Sequence, residues 1–181
     1  MKYHIIVFGC QMNISDGERV SAVLESMKYR ETPNINEADL IVVAMCSVRQ
    51  SAVDRVHFLA HKFEALQKEN PRLKTVLTGC ILKKDKKTFE KGFDYILDIG
   101  DVKNLTKIAR QQVRSVPRKA ILHSSPKPSG YVPIMTGCNN FCAYCVVPYT
   151  RGREISRPAK DIINEIKIAL KNDAKEIWLL G

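Results

Sequence analysis

No run in this 181-residue chain approaches the roughly 18 uninterrupted apolar residues that a membrane-spanning helix requires. A secretory leader is not expected either: Met1-Lys2-Tyr3-His4 leads straight into a short apolar segment ending at Gly9-Cys10, without a long apolar core or a small-residue cleavage site. The expected location is therefore cytoplasmic, with no membrane contact. Thiols stay reduced in that compartment, so the six cysteines are read as metal ligands or catalytic groups before disulfides, the alternative being buried cysteines serving as small hydrophobes. Aromatics make up only 7% of the chain, and the single tryptophan, Trp178, falls in an apolar run expected to be a buried strand.

Acidic residues are absent from one long segment. The net charge is +10, yet residues 1–101 carry 15 Lys/Arg against 14 Asp/Glu, and residues 154–181 carry five of each. Residues 102–153 hold nine basic residues and no acid: Lys103, Lys107, Arg110, Arg114, Arg118, Lys119, Lys127, Arg151 and Arg153. A localised basic segment favours a polyanionic partner, nucleic acid above all, over a merely soluble linker. Arg114, Arg118 and Lys119 are the candidate RNA-contacting residues.

What is present is an alternation of short apolar runs and amphipathic stretches. Residues 3–8, 40–44, 75–78 and 95–97 read as strands, the first three largely β-branched and buried on both faces. Ser15 with Glu18, and Ser47 with Gln50, have the spacing of a helix capping box. Apolar stripes follow at Val20, Val23, Leu24 and Met27, and at Val53, Val56, Leu59, Phe63 and Leu66. A further helix is expected near 103–113. Alternating strands and helices imply an α/β domain over residues 1–113 with a three-layer parallel sheet. Residues 114–130 contain Pro117, Pro126, Pro128 and four serines, the composition of a linker. A second unit, 131–181, opens with a strand at 132–135, a cysteine-rich loop, a helix begun by Pro158 with its stripe on Ile162, Ile166, Ala169 and Leu170, and a strand at 176–180. About 50 residues cannot complete a barrel or doubly wound domain, so this unit is expected to be the first βαβ of a larger one.

The cysteines form two sets of three. Cys10, Cys46 and Cys80 are far apart in sequence, but each stands where an expected strand ends. In a parallel sheet all such ends open on one edge, so three thiols can meet there, and adjacent helix N-termini favour thiolates. Cys138, Cys142 and Cys145 follow a Cys-x3-Cys-x2-Cys spacing in a strand-end loop. Three ligands leave one coordination position open, whereas a structural zinc site takes four. His123, 15 residues upstream, is a poor fourth ligand. A cubane [4Fe–4S] cluster on three cysteines keeps one iron accessible.

Gly137-Cys138-Asn139-Asn140-Phe141-Cys142-Ala143-Tyr144-Cys145 resembles the signature of the radical S-adenosylmethionine enzymes. Val146-Val147-Pro148-Tyr149-Thr150-Arg151-Gly152-Arg153-Glu154, Ser156-Arg157-Pro158 and Gly9-Cys10-Gln11-Met12-Asn13 are similar to the methylthiotransferase family. Cys46-Ser47-Val48-Arg49-Gln50-Ser51-Ala52 resembles its branch acting on isopentenyl-adenosine in transfer RNA. One departure is Ala44-Met45, where the family usually has Asn-Thr.

The resemblance implies two [4Fe–4S] clusters. Cys10, Cys46 and Cys80 would hold an auxiliary cluster for sulfur delivery. Cys138, Cys142 and Cys145 would hold one chelating S-adenosylmethionine, with Tyr144 near the cofactor's adenine, in a partial TIM-type barrel. A 5′-deoxyadenosyl radical would take hydrogen from carbon 2 of the modified adenine, and a second S-adenosylmethionine would supply the methyl group. It further implies tRNA as partner, an electron donor such as flavodoxin or ferredoxin, a monomer, and no turnover by this stretch alone. Rival readings are a sibling methylthiotransferase acting on threonylcarbamoyl-adenosine or a ribosomal protein, and a non-catalytic iron–sulfur or zinc protein that binds nucleic acid. His57 and His61 are read as ordinary helix-face residues, and Lys83-Lys84-Asp85-Lys86-Lys87 as a solvated helix start.

Overall fold

The computed structural model describes residues 1–101, 105 and 128–181. The first unit is a five-stranded parallel sheet in the order β2-β1-β3-β4-β5. Its strands are β1 (Lys2–Phe8), β2 (Arg30–Glu31), β3 (Leu40–Cys46), β4 (Lys74–Cys80) and β5 (Tyr95–Ile96). β2 is too short and polar to have been legible in the sequence. Helices α1 (Gln11–Ser26), α2 (Gln50–Glu69) and α3 (Lys83–Phe89) make the crossovers.

Side chains alternate across a strand, and here the alternation sorts two cores. Ile41, Val43, Met45 and Leu77 pack with Val53, Val56, Phe63 and Phe89 of α2 and α3. Leu40, Val42, Val76 and Tyr3 pack with Val20 and Leu24 of α1 and with Met27 just after it. Every residue of β3 is buried, as a central strand covered on both faces must be. This is the expected three-layer α/β arrangement. The expected helix near 103–113 and the linker at 114–127 lie outside the described residues, apart from Leu105, which is buried on the α1 side.

At the opposite end of the sheet from the cysteines, Asp94 ties β4 to the approach of β5. Its Oδ2 accepts from Thr75 N at 2.8 Å and Thr75 Oγ1 at 2.9 Å, and Lys74 Nζ reaches Oδ1 at 3.1 Å. Burial alone would raise this carboxyl, but the bonds from Thr75 and Lys74 hold it below the ordinary value. A depressed folded-state value favours the ionised form in the fold. The stabilisation is therefore present above the usual carboxylate range and lost as pH falls below about 4. Asp94→Asn is expected to flatten the acid limb: urea midpoints measured from pH 6 down to 3 should converge with wild type at the acid end and fall below it at pH 6.

Both expected capping boxes are corrected. α1 begins at Gln11, four residues before Ser15, because the chain turns into helix directly after β1, and Cys10 O accepts Ile14 N at 3.1 Å. Ser15 is buried within the helix and bonds Tyr131 O at 3.2 Å. α2 starts at Gln50 with Arg49 at the cap, and Ser47 Oγ accepts Leu82 N at 3.1 Å instead.

The second unit contains β6 (Ser129–Pro133), β7 (Met135–Thr136), α4 (Val147–Thr150), β8 (Ile155–Ser156), α5 (Ala159–Lys171) and β9 (Glu176–Leu180). The expected strand at 132–135 is broken at Ile134, where the chain leaves β9, its parallel partner through β6, to pair antiparallel with β8. Ser129 and Gly130, assigned to the linker, lie in β6. Trp178 and Leu179 are about half exposed rather than buried, since among the described residues β9 pairs with β6 alone. Leu170 is likewise exposed, and Glu165 is the buried member of the α5 stripe beside Ala169.

Candidate metal centre

The three strand ends of the first triad sit side by side. In the register of the sheet Phe8 lies opposite Met45, Met45 opposite Gly79, and Cys46 opposite Cys80. Cys46 and Cys80 are thus the last residues of their strands, not just past them as expected; only Cys10 follows its strand, as the extended residue at the start of α1. The alternation that turns Val42 and Val76 toward α1 places Cys46 and Cys80 on that same face.

Several ties hold the edge together. Asn13 Nδ2 donates to Met45 O at 3.0 Å, and Arg49 Nη1 donates to Gly9 O at 3.2 Å. The Cys10 thiol faces Asn13 Oδ1 at 3.5 Å. Gly79 has φ +110 and passes so close to Met45 and Asn13 that a Cβ would collide with both, so glycine is required immediately before Cys80. At Ala44-Met45, immediately before the second cysteine, the backbone accepts a side-chain bond from Asn13.

Cys46 and Cys80 are register partners at the ends of β3 and β4, and their thiols influence each other's titration. The neighbouring Cys80 thiol pulls Cys46 down to about 6, with the Val48 and Arg49 backbone N–H groups adding to the effect, while the same interaction and burial push Cys80 up.

The second triad is held on a loop folded back on the segment after α4. Gly137, at φ +76, leaves no room for a Cβ against Arg153 and Gly152 backbone oxygens, and Cys138 N donates to Gly152 O at 3.1 Å. Asn139 Oδ1 accepts Glu154 N at 3.3 Å. Phe141, itself at φ 48, lies under the Arg153 guanidinium at 4.4 Å and edge-on to Tyr149 at 5.8 Å. Cys142 is exposed, Cys138 and Cys145 are half-buried, and Tyr144 is 89% exposed.

None of the six cysteines is in a disulfide. Among the described residues, no three Cys, His, Asp or Glu side chains stand in a geometry that would grip one metal ion; the Cys10 thiol faces Asn13. The donor set nevertheless suits a thiophilic centre: three thiols at one sheet edge, and three within eight residues of one loop.

The second unit reaches the first triad through Arg151. Its Nε donates to Cys80 Sγ at 3.0 Å, and Nη2 donates to Asp16 Oδ2 at 2.6 Å, with both charged side chains more than 90% buried. Burial works against the Arg151 cation, but the Asp16 bond and charge outweigh it. A second ionic group lies nearby in the fold: Arg157 binds Glu165 of α5 and Pro133 O, and Arg19 of α1 approaches Glu165 at 4.0 Å. Asp16 and Glu165 were missed in the sequence, although both stand on apolar helical stripes (16, 20, 24, 27 and 162, 165, 166, 169), where an acid signals a buried partner.

Of the nine residues in the acid-free segment, Arg151 is therefore buried and internal. Arg114, Arg118 and Lys119 lie outside the described residues. His57 stacks on Phe89 at 4.5 Å, consistent with a helix-face residue. Lys83 to Lys87 open α3, with Lys86 paired to Asp98.

Fold and site define a two-unit α/β protein that carries a thiol triad in each unit. The chain belongs to the family described as Uncharacterized protein family UPF0004, whose model matches residues 2–99. It is also similar along its whole length to curated tRNA-2-methylthio-N(6)-dimethylallyladenosine synthases. The Syntrophomonas wolfei protein is 38% identical, covering 100% of this chain and 44% of its own length. The Carboxydothermus hydrogenoformans protein is 37% identical over 99% of this chain and 45% of its own, and that of Dictyoglomus thermophilum 34% over 99% and 44%. This chain thus spans less than half the length of the relatives it matches.

Proposed function

We propose that this chain forms the front portion of a radical S-adenosylmethionine methylthiotransferase that adds a methylthio group to carbon 2 of isopentenyl-modified adenosine beside the tRNA anticodon. Cys10, Cys46 and Cys80 hold an auxiliary [4Fe–4S] cluster, and Cys138, Cys142 and Cys145 hold a second with one iron open to S-adenosylmethionine. The observation that carries the reading is the placement of two three-thiol sets in one α/β chain, each short of the four ligands of a closed structural site. Similarity to synthases named for this modification supports the substrate.

The bound clusters and S-adenosylmethionine would supply the radical chemistry that an unactivated aromatic C–H bond demands. The chain's own residues do the holding. Gly137, Cys138 N and the Arg153–Phe141 stack shape the second loop, and the exposed Tyr144 ring is available to the cofactor's adenine. Asn13 and Gly79 set the spacing of the first edge. Arg114, Arg118 and Lys119 contact tRNA phosphates, an electron donor such as flavodoxin or ferredoxin serves the clusters, and the protein works as a cytoplasmic monomer with two S-adenosylmethionine per turnover. This stretch alone does not turn over.

The test is anaerobic reconstitution of the full-length protein. About eight iron and eight sulfide per chain are expected from two cubanes, with methylthiolated nucleoside in digests of the treated tRNA. Stoichiometric zinc and a colourless protein would replace this reading with that of a structural metal protein.

A further inference from the structure

Arg151 has a second role that its ion pair does not require. Pairing with Asp16 uses Nη2; a further donor, Nε, is directed at a cysteine sulfur in the other unit. Arginine reaches this point because it is the first residue after α4, a short helix that lies against β4, the strand that ends in Cys80. Its guanidinium is planar and stays charged, so Asp16 on one side fixes the direction of Nε on the other. A thiolate-bound cluster on three cysteines is anionic, and seating it at a buried sheet edge favours a nearby cation with an N–H aimed at sulfur.

We infer that Arg151 is a positioning residue for the first cysteine triad, donating an N–H···S hydrogen bond and a positive charge to Cys80 while Asp16 holds its guanidinium in place. The proposal rests on the reading of Cys10, Cys46 and Cys80 as a cluster site. Its consequence is that the surroundings of the auxiliary cluster are completed by the second unit. Residues 1–101 contain all three ligands but not this donor. The segment that carries Arg151 also braces the second triad's loop through Gly152 and Arg153, so the two sites share one support.

The experiment uses the full-length protein with Cys138, Cys142 and Cys145 all changed to Ala, so that any cluster belongs to the first triad. Midpoint potential, followed by electron paramagnetic resonance, and the rate of iron loss to a chelator are compared in three further variants. Arg151→Gln removes the charge and the Nε donor: the midpoint should shift negative, and iron loss should quicken about tenfold, as when a ligand's supporting hydrogen bond is removed. Arg151→Lys keeps the charge without the fork and should fall between. Asp16→Asn removes a negative charge and should shift the midpoint the opposite way, a sign that simple loosening of the interface would not produce. An unchanged midpoint and iron-loss rate in folded Arg151→Gln overturn the proposal and leave Arg151 as an interface ion pair. Should that variant fail to fold, Arg151→Lys and Asp16→Asn decide, and unmoved potentials in both overturn it. A parent protein that binds no iron at all removes instead the cluster reading of the first triad.

Discussion

Changing Cys142 to Ala in the reconstituted full-length protein is expected to abolish S-adenosylmethionine cleavage and leave about half the iron, as expected when one of two cubanes is lost. Changing Cys46 to Ala should do the reverse for function: cleavage persists and methylthiolation stops. On the proposed reading the two effects are separable. Cys142 is exposed on a loop whose shape is set by Gly137, Phe141 and the backbone around Gly152, none of which depends on the Cys142 side chain. Cys46 ends a central strand whose register with β4 is fixed by six further residue pairs before it. Neither substitution removes an apolar group large enough to unfold its unit. Iron content, absorbance and cleavage products of S-adenosylmethionine check both variants. If either single change removed all the iron, the division into two sites would be wrong.

The second large effect falls on the join between the units. Asp16→Ala leaves the Arg151 guanidinium more than 90% buried without its carboxylate. Breaking a buried pair from one side typically costs about 3–5 kcal/mol, because an uncompensated charge remains. Urea unfolding of the apo protein should show a loss of that order. The double variant Asp16→Ala, Arg151→Met should recover much of it, since removing both partners leaves no orphan charge. Asp16→Asn keeps an acceptor for Nη2 and should cost less than Asp16→Ala. A double-mutant cycle with near-additive effects, or a single-variant loss under about 1 kcal/mol, would mean that the pair behaves like a solvent-exposed bridge.

Much of the first unit was readable because its physics is local and repetitive. β3 and β4 are apolar runs covered on both faces, and α1 and α2 carry stripes at helical spacing; each signal is complete within a few residues. The strand-end placement of Cys10, Cys46 and Cys80 followed from those signals plus one topological rule about parallel sheets. Helix starts were less legible. Ser15 and Ser47 have the right chemistry for caps, but the sharp exit from β1 begins α1 earlier, and both hydroxyls bond to distant backbone, at Tyr131 and Leu82. A hydroxyl's local spacing cannot reveal a partner more than 30 residues away.

The sequence alone determined the layered α/β class, because hydrophobic period is a property of short segments. Only the tertiary structure decided what joins the two units. Arg151 read as one more cation in an acid-free stretch, and Asp16 as one more acid in a helix. Their pairing spans 135 residues, and nothing in a one-dimensional pattern distinguishes an arginine bound for solvent from one bound for a buried carboxylate and a sulfur. The same limit misplaced Trp178: its apolar neighbours promised burial, but whether a strand is covered depends on which elements pack on it, and β9 has only β6 as its described sheet partner. Local composition sets what a segment can become, and long-range packing sets which of its side chains leave water.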